Sequence, residues 1–278
     1  MRKYVRSVTL TLGLVGLLSM PASAAGNAHA AVSKVHHVNA LVKKDAIRLI
    51  NIAGRQRMLS QRIAKDYLYI GRKVAVDKAQ KQLKASLKEF REGQSKLKEM
   101  INDPEIQNLL AFVDMSLGEL EGIVKTEFTL DNAQLVLDLS ESMLEGSQYV
   151  VDSLKKLADV KDSEIVAKSG KQRMLAQRIA KYYIAYQAGI KDKNTVDQMK
   201  AAVKEFSENH STLMKNKDNT ATINEKLAKV DRLWKIVYKF YLNIEKGGLP
   251  FIVFTTTDDI TKMMDSITKL YVQLYNKS

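Results

Sequence analysis

The sequence predicts an all-α protein built as two tandem antiparallel four-helix bundles related by internal duplication. Three observations predict it. A 14-residue block beginning at Gly54 recurs at Gly170 with eleven positions identical, at a constant offset of 116. The offset then holds without a gap, so that Lys88-Glu89-Phe90 matches Lys204-Glu205-Phe206 and Leu97 matches Leu213. A duplication of this length is a repeated domain, not a solenoid unit of about 20–50 residues. The chain also has only three prolines, Pro21, Pro104 and Pro250, in 278 residues. Good helix formers dominate the rest, and apolar residues recur at the helical period nearly everywhere.

Taken in order, the chain opens on Arg2, Lys3 and Arg6, then an apolar run from Val8 to Met20, then Ala22-Ser23-Ala24. A basic start, a short apolar centre and a small-residue exit are the marks of a secretory signal. The run is shorter than the roughly 20 residues a membrane span needs. Residues 1–24 are therefore expected to be removed and the protein to be periplasmic. The first bundle is expected over 31–160 and the second over 161–278.

In the first bundle, a long helix is expected from about Val32 to Val74, and a second from Asp77 to about Met100. Asn102-Asp103-Pro104-Glu105 is a helix start, with an Asp or Asn cap and proline in the first turn. That third helix should reach about Glu127. Thr129-Leu130-Asp131 caps a fourth, running to about Ala158. The second bundle repeats the plan, with helices from about Ser163 to Ile190, Asn194 to Lys215 and Thr220 to Glu245. Lys246-Gly247-Gly248-Leu249-Pro250 is the clearest stop in the chain, and a last helix runs to about Tyr275. Between Leu157 and Glu164 there is neither Gly nor Pro. Asp162 or Ser163 could cap a new helix there, or one unbroken helix could join the bundles end to end.

On a wheel of the first helix, Ile50, Gly54, Arg57, Gln61, Ala64 and Leu68 fall on one narrow stripe. Val166, Gly170, Arg173, Gln177, Ala180 and Ile184 fall on the same stripe in the second copy. Ile52, Leu59, Ile63 and Ile70 lie opposite, on the natural core face of a bundle. The Gly-Arg-Gln stripe then faces something else. Glycine inside a helix costs roughly 1 kcal/mol relative to alanine and is tolerable where a backbone or ligand comes close. Two arginines meeting across such a contact would repel, and an unpaired buried charge is expensive. An anion between them removes the problem, because a planar guanidinium donates bidentate hydrogen bonds to planar oxyanions and glutamine adds neutral donors. The competing reading makes Arg57 and Arg173 partners of glutamates on neighbouring helices and the glycines packing residues. Arg62 and Arg178, about 140° round the wheel, are expected in salt bridges within their own bundles.

Composition narrows the chemistry. There are no cysteines, which excludes disulfides, thiolate catalysis, Cys-ligated zinc and c-type haem. His29, His36, His37 and His210 stand in no ligand-like spacing with carboxylates, so neither a metal nor another cofactor is expected. His36-His37 is read as lying on a solvated stretch. The formal charge of +13 is compatible with an anionic ligand. The lysines are scattered over helices without interleaved aromatics, so no nucleic acid is expected. No nucleophile–base constellation, metal spacing or phosphate loop is present, and the chain is read as non-enzymatic, with no catalytic residue.

The box Asn51-Ile52-Ala53-Gly54-Arg55-Gln56-Arg57-Met58-Leu59-Ser60-Gln61-Arg62 closely resembles the signature of PilJ-type sensor domains. It also resembles the periplasmic sensor segment of nitrate-responsive histidine kinases. The resemblance implies four-helix bundles whose first helix carries the box, with one nitrate at the two-fold between two first helices. It implies contacts from the glycine and first arginine, here Gly54 and Arg57, and Gly170 and Arg173, with Asn51 matching the asparagine of the box. The second copy departs at Ala167, and Lys168-Ser169 replaces Ile52-Ala53. Sensors of this kind carry membrane spans and a cytoplasmic output domain, which the sequence does not show, so a membrane receptor or sensor kinase is the expected partner.

The expected function is thus an exported binding protein for a small oxyanion, nitrate or nitrite first, held by Gly54, Arg57, Gly170 and Arg173 with Asn51, Gln61 and Gln177. It is read as a pseudo-dimer within the chain or as a homodimer. The alternative is a ligand-free helical interaction module linked to pilus or chemosensory machinery.

Overall fold

The computed structural model describes the backbone of residues 24–158 and 163–275, and the side chains of 45–157 and 164–275. The expected signal peptide, the histidines before residue 45 and the joint at 159–162 lie outside the described residues. From Val42 onward the chain forms one compact unit.

Eight α-helices are described. α1 spans Ala24–Gly71, α2 Val76–Met100, α3 Pro104–Ile123 and α4 Leu130–Ala158. α5 spans Ser163–Ala188, α6 Lys193–Met214, α7 Ala221–Leu242 and α8 Pro250–Tyr275, with a 3-10 turn at Ile244–Lys246 before α8. Side chains close four of the starts. Asp103 accepts from the Ile106 amide at 3.0 Å, Thr129 from Asn132 at 3.0 Å, Asp192 from Thr195 at 2.9 Å and Thr220 from Ile223 at 3.3 Å. Each satisfies an otherwise orphaned first-turn N–H. α2 differs from the expectation that Asp77 opens it. Its N-cap is Ala75, in the left-handed region at φ 49°, with no side-chain cap. α3 also stops at Ile123, a turn earlier than expected.

α1 and α5 form the centre. From Gln56 to Tyr69, every α1 side chain except Arg62 is buried, and from Ser169 to Ala185 every α5 residue except Lys171 and Arg178. The stripe opposite the arginines is core as expected for Leu59 and Ile63, both at most 1 % exposed. The Gly-Arg-Gln stripe is equally buried, because a second set of helices lies against it. A helix enclosed on all sides belongs inside a larger assembly than one bundle. Here that is the other four helices of the same chain. One apolar core runs through both sets, from Phe90 and Leu117 to Phe206 and Trp234, and a smaller cluster around Leu49, Leu97 and Val150 extends the first set.

Polar contacts tie the sets reciprocally. Lys65 on α1 pairs with Asp258 on α8 at 2.7 Å, while Lys181 on α5 pairs with Glu141 on α4 at 2.5 Å. Lys65 and Lys181 are related by the 116-residue offset, and Glu141 and Asp258 by 117. The buried positions of α3 and α4 recur in α7 and α8 at that second offset, as in Val113 and Val230, Leu117 and Trp234, or Leu137 and Phe254. One residue is therefore inserted between α6 and α7 relative to the first set, and the two sets are otherwise superposable in pattern.

Candidate functional site

Gly54 and Arg57 lie one helical turn apart on α1, and Gly170 and Arg173 likewise on α5. The fold turns the two pairs towards each other within one chain. A Cβ placed on Gly54 would stand 3.2 Å from Arg57 Nη2 and 4.0 Å from Arg173 Nη2. One placed on Gly170 would stand 3.2 Å from Arg173 Nη2 and 4.0 Å from Arg57 Nη2. The two descriptions are images of each other under an internal two-fold. Glycine at both positions leaves room for two guanidinium groups against the backbone, which explains its presence in mid-helix despite a propensity cost of roughly 1 kcal/mol. Both arginines are buried, at 3 % and 2 % exposure.

Their partners break the symmetry. Arg173 Nη1 donates to Asp265 Oδ1 at 2.5 Å and Nη2 to Asn51 Oδ1 at 3.2 Å. Asp265 also receives Arg55 Nη1 at 2.7 Å and pairs with Lys269 at 2.9 Å. Arg57 Nη1 donates to the neutral Gln148 Oε1, and its Nε has no partner. Among the described residues no carboxylate stands within ion-pair distance of Arg57. Gln148 passes the polarity outward, donating to Asp152 Oδ2 at 2.9 Å. Gln148 and Asp265 are equivalent at the 117-residue offset, so the same place holds an amide in one set and a carboxylate in the other. Asn51 is answered by Ala167, which has no polar atom to return to Arg57.

Burial, with the facing Arg173, pushes the Arg57 guanidinium down to about 10, which leaves it a cation at neutral pH. Burial lowers Arg173 too, although Asp265 opposes it. Burial works to raise the Asp265 carboxyl, but Arg173, Lys269 and Arg55 together hold it below the ordinary carboxylate range. The pair therefore carries one compensated and one uncompensated charge in a water-poor space.

Gln61 and Gln177 are not brought into hydrogen bonds with the arginine pair. Gln61 donates to the Ser140 carbonyl at 3.0 Å, and Gln177 to Thr261 Oγ1 at 2.8 Å. They fasten α1 to α4 and α5 to α8. Gln56 and Gln172 make a matched pair of such anchors, donating to the Phe90 and Phe206 carbonyls at 2.8 and 3.0 Å. Arg62 bonds within its own set, to Ser86 at 2.8 Å and Glu89 at 3.5 Å. Arg178 departs from the expectation, since one of its partners, Glu141 at 2.5 Å, lies on α4 of the other set.

Asp265, Gln148 and Arg55 are the site residues that the sequence reading did not single out. Their one signal is the change from Gln to Asp at equivalent positions, which the 116-residue register hides by a single residue. Below the arginines, Lys65, Asp66 and Asp258 make a second buried polar layer. Both oxygens of Asp66 lack a hydrogen-bond partner, and its counterpart in the second set is Tyr182.

The family model described as the type IV pili methyl-accepting chemotaxis transducer N-terminal domain, PilJ, matches the chain in two segments, residues 42–121 and 159–244. No curated protein and no solved structure matches it.

Proposed function

The chain belongs to the PilJ family, and from that premise we propose that it is a periplasmic, non-enzymatic sensor module for a small planar oxyanion, nitrate or nitrite first. The family is a sensory one, tied by its description to chemotaxis transducers. Residues 1–24 serve as the export signal, and 31–160 and 161–278 are the two sensor copies. Gly54, Arg57, Gly170 and Arg173 hold the anion, and Asn51 orients Arg173. Gln61 and Gln177 support the helices that carry them. Among the described residues no helix is long and apolar enough to cross a membrane, and a membrane receptor or sensor kinase reads the ligand state.

The observation that carries this reading is Arg57. It is a buried cation, facing a second cation across two glycines, with no carboxylate among the described residues in ion-pair contact and only Asp152 and Glu205 acting on it from farther off. Leaving such a charge uncompensated costs several kcal/mol. A planar monoanion supplies the missing charge and acceptors for guanidinium N–H groups on both sides. The charge count favours a monoanion, because Asp265 already offsets Arg173.

Thermal unfolding of the purified protein in sodium nitrate, nitrite, chloride, sulfate and phosphate at equal ionic strength tests it. A ligand at 100 times its dissociation constant stabilises by about 2.7 kcal/mol, a rise of about 5–10 °C in a chain of this size. Nitrate or nitrite should give that rise, and the Arg57→Gln, Arg173→Gln double variant should lose it. An undiminished response in the double variant sinks the site. No selective response at all leaves the interaction-module reading, with the arginines acting as interhelical donors.

A further inference from the structure

The internal repeat allows a comparison of what each set of helices shows to solvent. At most equivalent buried positions the two sets agree, but several equivalent surface positions differ in character. On the outer face of α3, Phe112 and Met115 stand in water, the latter at 65 % exposure. The equivalents on α7, at the 117-residue offset, are Lys229 and Arg232. On α4, Glu145 and Tyr149 are exposed, Tyr149 at 53 %, and their equivalents on α8 are Lys262 and Ser266. α3 and α4 carry nine carboxylates against two lysines, in a chain whose total charge is +13, whereas α7 and α8 carry seven cations against five carboxylates.

The acidic face is only partly neutralised, with Gln134 donating to Asp138 at 3.0 Å and Tyr149 to Glu145 at 3.3 Å. Among the described residues Glu119, Asp138 and Glu145 make no ion pair. Glu119 and Asp138 line a shallow groove between α3 and α4, together with Gly122, Leu135 and Leu139. A Cβ on Gly118 or Gly122 would meet nothing within 4 Å, so an approaching partner finds backbone open there. A second groove lies between α7 and α8, displaced from the place equivalent to the first, and is lined by Lys226, Lys229, Arg232 and Lys262 with Asp259; Lys229 also pairs with Glu225 at 2.7 Å and Lys262 with Asp259 at 3.4 Å, which leaves cations in excess.

We propose that the α3–α4 face of one molecule docks on the α7–α8 face of a second copy. The opposed charges supply complementarity. The aliphatic stems of Lys229 and Arg232 can cover Phe112 and Met115, and their charged ends can stack on exposed rings. The contact joins unlike faces, so each molecule offers one of each kind and copies can add head to tail.

This inference does not depend on the anion site, and the test leaves that site untouched. Sedimentation velocity of the wild-type protein at 20 mM salt should show a mass that rises with concentration above that of one chain, 31.3 kDa with its leader. At 500 mM salt, screening should return it to single chains. The variant Lys229→Glu, Arg232→Glu, Lys262→Glu should dissociate at low salt, with a dissociation constant raised about tenfold or more. The variant Glu119→Lys, Asp138→Lys, Glu145→Lys should do the same. Combining all six substitutions in one chain should restore association, with helical circular dichroism unchanged throughout. A wild-type protein that stays monomeric over the whole range overturns the proposal, as does association that both triple variants leave intact or a six-fold variant that stays dissociated.

Discussion

Asp66 is fully buried, neither of its carboxylate oxygens is hydrogen-bonded, and its nearest cation is Lys65 Nζ at 3.3 Å. Burial pushes its carboxyl up to about 7; Lys65 and Arg62 pull the other way and Asp258 adds to the rise. In the unfolded chain the group keeps its ordinary value near 3.8. Folding therefore favours the protonated acid. That contribution to stability is whole below about pH 4 and is lost as pH rises through 7. Asp66→Asn keeps the shape and removes the titration. Its melting temperature should exceed that of the wild type above pH 7, and the difference should shrink and vanish towards pH 4. A constant difference across that range would show that Asp66 does not take up a proton on folding. Tyr182 in the second set shows the same place filled without an acid.

At the scale of helices, the reciprocal pairs Lys65–Asp258 and Lys181–Glu141 differ in depth. Asp258 is 2 % exposed and Lys65 fully buried, so Asp258→Ala leaves the ammonium only Asp66, at 3.3 Å, as a carboxylate partner and should cost about 3–5 kcal/mol in urea unfolding. The Glu141 side chain is 29 % exposed, water can replace it, and Glu141→Ala should cost clearly less. Equal losses would mean that burial does not grade the two pairs. Helix extents were legible in the sequence because caps and breakers are local. Asp103-Pro104, Thr129, Thr220 and the break at Gly247 mark the ends where the structure has them, give or take a turn. The start of α2 was not legible. The chain turns there through Lys73 and Ala75 at φ 57° and 49°, where the second set uses Gly189 at φ 116°, and no residue-type signal announces a left-handed lysine or alanine. The wheel placed Gly54 and Arg57 on a stripe opposite Leu59 and Ile63, and in the structure both stripes are buried in one core. It could not show that this face meets its own repeat, nor that Asp265 would balance one arginine and Gln148 leave the other unbalanced. Those facts depend on helices some ninety residues away in sequence and on a register slipped by one.

For the whole molecule, a core continuous through both sets ties their stabilities together. Scanning calorimetry of the ligand-free protein should show a single transition above residue 42, with calorimetric and van't Hoff enthalpies in agreement. Two resolved transitions would mean that each set of four helices holds its own core and that the cross-pairs contribute little. The duplication also frees the two halves to diverge, since only identical subunits must keep identical halves. The differences gathered at Asn51 and Ala167, Gln148 and Asp265, and Asp66 and Tyr182 are of that kind.

Because Gly54, Arg57, Gly170 and Arg173 sit on one polypeptide, bringing the two arginines together is a unimolecular event. A receptor that builds such a place between separate subunits loses it on dilution, as the subunits part. Here the partner half is present at a fixed effective concentration, whatever the number of molecules in the cell. For the sensor proposed above, occupancy would then follow the outside concentration of the small molecule alone, and a few copies would report it as faithfully as many.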